Sequence, residues 1–293
     1  MLNNRKITRR SFLKAGLFTA FGFAGAMSFG GYYAFAHEPF NWQSRIIELS
    51  WPELPDELDG LKIAHFSDTH FGYHYDQHHF AEVMRKIDEY KADLIVFTGD
   101  WFHPECRDKR SVVNMFAKLK APLGQYAVLG NHDYFFGIDL ISTYLKNAHF
   151  DLLKNEHRIL SRNGVAFQLA GIDDQTYGQP NLQQTLDTSE PSLFTILLSH
   201  TPDFADIARF HPIHLQLSGH SHGGQLRIPG IGPIFGPAHG RKYVDGVYTW
   251  PDSNMKLFTN RGLGTSRVPL RTFCPPEINL IVVRKANNRE ATS

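Results

Sequence analysis

The sequence predicts an α/β fold, and three observations predict it. Five short apolar runs, at 61–66, 93–97, 126–129, 195–198 and 213–217, each lead into Asp, Asn or His. Between the first three runs, apolar residues recur at helical spacing. From Asp68 to Asp100 is 32 residues and from Asp100 to Asn131 is 31, about the length of one strand–helix–strand unit. Units of that kind gather the groups at their strand ends along one sheet edge, where open α/β sheets bind ligands.

Taken in order, residues 39–59 hold Pro52, Pro55 and a strand-like Arg45-Ile-Ile-Glu-Leu. A helix is expected over 76–90, with Phe80, Val83, Met84 and Ile87 on one face. Val112, Val113, Phe116 and Leu119 predict a second over 111–119, and Ile138, Ile141, Tyr144 and Leu145 a third over 138–145. Past residue 150 the rhythm changes. Residues 158–161 and 165–170 read as a hairpin turned at Asn163-Gly164. The polar stretch 173–191 reads as loop with a short helix, and 203–210 as another short helix. From Gly223 on, glycine- and proline-rich turns separate the strands Lys256-Leu-Phe-Thr and Glu277-Ile-Asn-Leu-Ile-Val-Val, and the tail beyond about Lys285 is polar. Residues 37–293 are therefore expected to form one domain of two layered sheets covered by helices.

Residues 1–36 form a separate targeting segment. They contain Arg5, Lys6, Arg9, Arg10 and Lys14 and no acid, and 15–36 are uncharged. Thr8-Arg-Arg-Ser-Phe-Leu-Lys14 matches the twin-arginine export pattern. This predicts the export machinery as a partner and the periplasm or cell envelope as the address. Ala34-Phe-Ala36 offers small residues for cleavage before His37. A retained apolar stretch would instead anchor the protein, since about 20 residues span a bilayer, and membrane or cell-wall association is expected in that case. Without the five leading cations, 25 basic residues face 29 acidic ones, a net −4, which gives no footprint for nucleic acid. Cys106 and Cys274 are expected to be packing residues, because a chain that folds before export does not rely on a disulfide.

Sixteen histidines are the compositional oddity. Asp68-x-His70 and His220-x-His222 have the i, i+2 spacing that points two side chains of an extended chain the same way. Asp100, between the other motifs, can bridge two cations through its two oxygens; Asn131 adds a neutral oxygen and His200 a nitrogen. Mixed Asp, Asn and His donors suit two divalent ions such as Mn, Fe or Zn. Two such ions, two aspartates and a hydroxide leave a charge of about +1, which attracts an anionic phosphate ester open to attack by metal-bound hydroxide. His132, between Asn131 and Asp133, is placed to protonate the leaving oxygen, with Asp133 orienting it. Arg227, Arg241, Arg261, Arg267 and Arg271 cluster in the last third, and Arg227, Arg241 and Arg261 are the candidates for gripping phosphate oxygens. Trp101 and Phe102 are candidates for an apolar surface under a second ester group. His74 and His103 follow metal-bearing turns and are candidates for the pocket rim.

In order, Asp68-x-His70, Gly99-Asp100, Gly130-Asn-His-Asp133, His200 and Gly219-His-x-His222 resemble the motifs of calcineurin-like metallophosphoesterases over about residues 61–222. The resemblance implies a four-layer α/β/β/α sandwich and a dinuclear site. One metal would take Asp68, His70, Asp100 and His222, and the other Asp100, Asn131, His200 and His220, with His132 as the acid. The run Gly219-His-Ser-His-Gly-Gly-Gln-Leu-Arg-Ile-Pro229, with Arg241-x-Tyr243 and Asn260-Arg-Gly-Leu-Gly264, is similar to a narrower subgroup of twin-arginine-exported bacterial phosphodiesterases and to some UDP-diacylglucosamine pyrophosphohydrolases. Gly99-Asp-Trp-Phe-His103 departs from the motifs of purple acid and phosphoprotein phosphatases. A phosphodiesterase is therefore expected. The alternatives are a pyrophosphohydrolase of a UDP-diacylglucosamine-like lipid precursor and a non-catalytic metal- or phosphate-binding envelope protein.

Overall fold

A computed structural model describes residues 9–187 and 189–286. Residues 1–8, which include Thr8 of the expected export motif, and the tail 287–293 lie outside the described residues.

The strands are β1 (Gln43–Trp51), β2 (Leu61–Phe66), β3 (Leu94–Phe97), β4 (Gln125–Ala127), β5 (Asp151–Leu152), β6 (Glu156–Arg162), β7 (Val165–Gly171), β8 (Thr195–Leu198), β9 (Leu215–Ser218), β10 (Arg227–Ile228), β11 (Gly232–Pro233), β12 (Gly246–Trp250), β13 (Ser253–Thr259) and β14 (Glu277–Lys285). The α-helices are α1 (Arg9–Tyr32), α2 (Gln77–Glu89), α3 (Lys109–Phe116), α4 (Ile138–Asn147), α5 (Leu182–Thr185) and α6 (Ala205–Ala208). One six-stranded sheet has the order β1-β14-β2-β3-β4-β5 and the other β12-β13-β9-β8-β7-β6, while β10 and β11 form a separate hairpin.

The β2-α2-β3-α3-β4-α4-β5 series is the parallel run that the spacing predicts. β3 reads as an unbroken apolar run because both its faces are buried, whereas β2 exposes Lys62 and the edge strand β5 exposes Asp151. Leu61, Ile63, Leu94 and Val96 point into the layer between the sheets, against Phe167, Leu169, Ile196, Leu198, Leu215 and Leu217. Ala64, Phe66, Ile95 and Phe97 point the other way, under Phe80, Val83, Ile87, Val113 and Phe116 of the helices. Asp76 caps α2 by accepting the N–H groups of His78 and His79 at 2.9 and 3.2 Å, and Asp108 caps α3 through the N–H of Ser111 at 3.0 Å. The second sheet is covered more thinly. Single-turn helices α5 and α6 and the turn at Pro202–Phe204 bury Leu182, Phe204, Ala205 and Ala208 against Ala170, Ile172 and Leu197. The layers are α/β/β/α, as expected, with unequal outer coats. Asn163 and Gly164 turn the β6–β7 hairpin at φ 52° and 84°.

Two features were not expected. The last strand, β14, lies between β1 and β2, parallel to one and antiparallel to the other. The N-terminal segment is a helix whose end docks on the domain. Ala34 is buried, its carbonyl accepts the Arg271 N–H at 2.9 Å, and Phe35 packs on the ring of His74. Of the expected cleavage residues, Ala34 is packed against the body of the domain, whereas Phe35 and Ala36 are exposed. Among the described residues no helix is long and apolar enough to cross a membrane. Cys106 and Cys274 are buried free thiols.

His65 on β2 packs between the sheets, its Nε2 3.0 Å from Thr98 Oγ1 and its ring edge-on to Phe258. Burial pushes its pKa down to about 3. The unfolded chain therefore binds a proton here that the folded chain refuses between pH 6.5 and about 3. Stability is present above pH 6.5 and falls as the pH drops through that window, by about 1.4 kcal/mol per pH unit from this group. His65→Gln should flatten the pH dependence of the urea midpoint by that slope, measured by circular dichroism from pH 7 to 4.

Candidate metal centre

The carboxyl ends of both sheets converge on one buried cluster. Asp68 and His70 follow β2, Asp100 follows β3, and Asn131 and His132 follow β4; His200 follows β8, and His220 and His222 follow β9. The backbone turns sharply at the exits of β2, β3 and β9. Asp68, His70, Asp100, His220 and His222 have φ of 51, 41, 60, 66 and 51°, the left-handed region that costs a non-glycine residue energy and is common at functional sites.

Among the described residues, three groups could each hold a cation: Asp68, His70 and His222; His70, Asp100 and His132; and Asp100, His200 and His220. Asp100 joins them, with Oδ2 3.4 Å from both His70 Nε2 and His200 Nε2. His70 Nε2 is 3.1 Å from His222 Nε2, which is 3.3 Å from Asp68 Oδ1. His200 Nε2 lies 3.1 Å from Asn131 Oδ1 and 3.1 Å from His220 Nδ1. The outward nitrogens of His200 and His220 are engaged. His200 Nδ1–H donates to Thr98 O and His220 Nε2–H to Ala238 O, both at 2.6 Å, which aims the other nitrogen of each ring inward. Asp68 Oδ1 is buried without a hydrogen-bond donor. Nitrogen lone pairs and an unsatisfied carboxylate oxygen converging in a buried pocket fit divalent cations.

The electrostatics agree. Burial opposes the charge on Asp100, but the surrounding rings, His200 foremost, hold its pKa well below the usual range. Burial likewise opposes protonation of His200, yet Asp100 beside it prevails and pushes it up to about 10. Burial pushes His70 well down, and burial together with His200 takes His220 down to about 4, so both present neutral imidazoles. Glycine is needed at two close approaches. A Cβ on Gly130 would lie 2.2 Å from Asp100 Oδ1, and one on Gly219 2.2 Å from Asp68 Oδ2.

A cavity of about 290 Å³ opens over the cluster, with Asp100, Asn131, His132, His220 and His222 in its floor and Leu226, Phe235, Pro237, Arg267 and Val268 at its mouth. His132 is half-buried; its N–H donates to Asp100 Oδ1 at 2.8 Å, and its ring stands edge-on to His70.

Several expected roles change. Asp133 does not orient the His132 ring: its carboxylate accepts the N–H groups of Gly130, Asp100 and Trp101, each at 2.9 Å, and so ties the two ligand turns together. Burial, and then Asp100, pushes its pKa up to about 6. Arg227 and Arg261 both pair with Asp245, Arg241 donates to Gly236 O, and none of the three lines the cavity; Arg267 does. Arg271 is fully buried, donating to Cys274 O, Arg261 O, Gly262 O and Gly264 O, with Nη2 3.5 Å from His222 Nδ1. It grips the loop beside Asp68 and cannot grip phosphate. Trp101 and Phe102 are core residues packed with Phe116, Phe136 and Tyr144, so they offer no ester-binding surface. His74 lies under Phe35 and Phe40, and His103 stacks on Tyr73; neither lines the cavity. The apolar mouth was missed because Phe235 and Val268 lie in no motif and Leu226, though inside the run 219–229, is neither a metal-binding nor a charged residue.

The calcineurin-like phosphoesterase family model matches residues 61–224, the span that carries every one of these strand-end groups. The chain belongs to the calcineurin-like phosphoesterase family. It is 36% identical over 289 residues to the uncharacterized metallophosphoesterase YkuE of Bacillus subtilis, covering 97% of this chain and 100% of that one. It is 31% identical to phosphodiesterase YaeI of Escherichia coli, covering 94% and 98%. It is 27% identical to the UDP-2,3-diacylglucosamine pyrophosphatase LpxG of Chlamydia trachomatis, covering 81% and 88%. This phosphoesterase is thus a phosphoester hydrolase of a metal-dependent family, with buried Asp and His groups that could hold the ions.

Loss of an outer-shell partner alone costs metal sites about 10–100-fold in affinity. Asp100→Asn, which removes a carboxylate shared by two groups, should therefore weaken metal binding by on the order of 100-fold or more, read by metal analysis after dialysis. Full retention of metal would remove Asp100 from the centre.

Proposed function

We propose that this protein is a phosphodiesterase that works with two divalent cations. The observation that carries the reading is Asp100 Oδ2 lying 3.4 Å from a histidine of each sheet, so that one carboxylate joins two ligand groups. Asp68, His70, Asp100 and His222 would hold one ion, and Asp100, Asn131, His200 and His220 the other. Bound there, the ions supply Lewis acidity and an activated water.

The chain's own residues do the rest. As the oxygen of water joins phosphorus and the bond from phosphorus to the leaving oxygen breaks, a ring nitrogen of His132 hands its proton to that oxygen. Asp133 holds the turns of Asp100 and Gly130 in register for this. Leu226, Phe235, Pro237 and Val268 exclude water at the mouth and give a second ester group an apolar place to lie. Arg267 is the one cation among the cavity's lining residues that carries a fixed charge, which suits a monoanionic diester better than a dianionic monoester. The relative named as a phosphodiesterase, 31% identical along nearly its whole length, supports the same reading. The export motif, with Arg9 and Arg10 exposed at the start of α1, supports passage through the twin-arginine route to the cell envelope.

Purified protein loaded with Mn should show a higher kcat/KM for an aryl phosphodiester than for the matching monoester; the reverse order would overturn the diesterase reading. His132→Ala should keep its metal yet lose about 10²–10⁴-fold in turnover, with a smaller loss for nitrophenolate than for alkoxide leaving groups. Loss of metal in that variant would make His132 a ligand, as its grouping with His70 and Asp100 also allows. Arg9→Lys with Arg10→Lys should leave active enzyme in the cytoplasm, read by fractionation.

A further inference from the structure

Outside the cavity, large apolar side chains stand in solvent along one continuous rim. The hairpin β10–β11 and its return strand expose Ile228, Ile231, Ile234 and Phe235, with Ile231 77% and Phe235 70% accessible. The neighbouring loop exposes Val268 and Phe273. The two are bonded side by side. Arg227 N–H donates to Thr272 O at 3.0 Å, Thr272 N–H to Gln225 O at 3.0 Å, and Thr272 Oγ1–H to Arg227 O at 3.1 Å. The adjoining Arg271 N–H holds Ala34 O, which adds exposed Phe35 and the end of α1, itself exposing Phe29 and Tyr32. The cavity mouth, through Leu226, Phe235 and Val268, opens within this rim.

The charge pattern of the same segments is one-sided. Residues 219–244, 261–276 and 1–37 contain no Asp or Glu. Arg241 and Arg267 are exposed there, and neither makes an ion pair among the described residues; Arg9 and Arg10 are exposed on α1. Contiguous exposed apolar side chains mark an interaction site. Apolar anchors interspersed with unpaired cations suit the acyl and headgroup layers of an anionic bilayer. A second copy of the chain would set cation against cation.

We propose that this rim docks on an anionic lipid surface, with Ile228, Ile231, Ile234 and Phe273 entering it and the cavity mouth held against it. The ester hydrolysed is then one carried by an amphiphile in that surface. The docking stands on the rim alone; the identity of the hydrolysed bond rests on the phosphodiesterase reading.

The test uses the full chain and vesicles of phosphatidylcholine with or without phosphatidylglycerol. Ile231→Trp should be quenched by brominated lipids in the anionic vesicles, whereas Ile159→Trp, exposed on β6, should not. Ile231→Glu with Phe273→Glu should lower vesicle binding and hydrolysis of vesicle-embedded hexadecyl nitrophenyl phosphate by at least about tenfold, while leaving kcat/KM for soluble bis-nitrophenyl phosphate unchanged. Vesicle binding without quenching at residue 231 would overturn the proposal by placing the contact elsewhere. So would absence of vesicle binding, or a concentration-dependent self-association abolished by the double variant. Docking as expected with no turnover of either ester would support this surface and overturn the phosphodiesterase reading instead.

Discussion

A single buried carboxylate sets the terms for everything around it. Asp100 is almost wholly buried, and an isolated carboxylate in such a place is strongly disfavoured unless partners repay its desolvation. Those partners come from both halves of the sandwich: His70 and the His132 N–H from one sheet, and His200 from the other. Its own N–H is held by Asp133, which also holds the turn bearing Asn131. The sheets are thus coupled at their carboxyl edges by electrostatics, as they are coupled through their middles by apolar packing. A cation held between these groups would replace the proton of His200 as the compensating charge, so that the fold and the cation would be stabilised by the same residues.

The geometry of that edge is costly in itself. Five strand-exit residues hold left-handed backbone conformations, at about 1–3 kcal/mol each for strained positions of this kind. The strands behind them are packed on both faces and cannot yield. Rigid sheets therefore impose the strain, and the strain turns the side chains inward. Glycines 130 and 219 let the turns approach closely enough for those side chains to meet.

Much of this was legible in the chain. Apolar runs ending in Asp, Asn or His mark the strand ends because both strand burial and ligand placement leave composition signatures, and the spacing from Asp68 to Asn131 carries the parallel series. What the sequence left obscure depended on partners distant in the chain. Asp133 looked like an aid to His132 because it is next to it, yet its carboxylate faces backward onto Gly130, Asp100 and Trp101. Arg227 and Arg261 looked free because Asp245, which neutralises both, lies in another turn. Arg271 holds its buried guanidinium mainly against backbone carbonyls, a solution that leaves no trace in residue type. Trp101 and Phe102 follow a ligand and so read as site residues, but the chain dives into the helix layer immediately after Asp100.

The placement of β14 has a consequence for how the molecule is made. This strand separates β1 from β2, and the Arg45–Glu277 ion pair that accompanies it joins residues 232 apart in sequence. Until residues 277–285 have been synthesised, β2 has one unpaired edge and β1 has no partner at all. A nascent chain in that state presents an open, apolar strand margin of the kind that templates aggregation, and its closure is a long-range event of the sort that slows folding. The first sheet therefore cannot close while the ribosome is still making the second. A factor that shields the β2 margin during translation would raise the yield of folded protein.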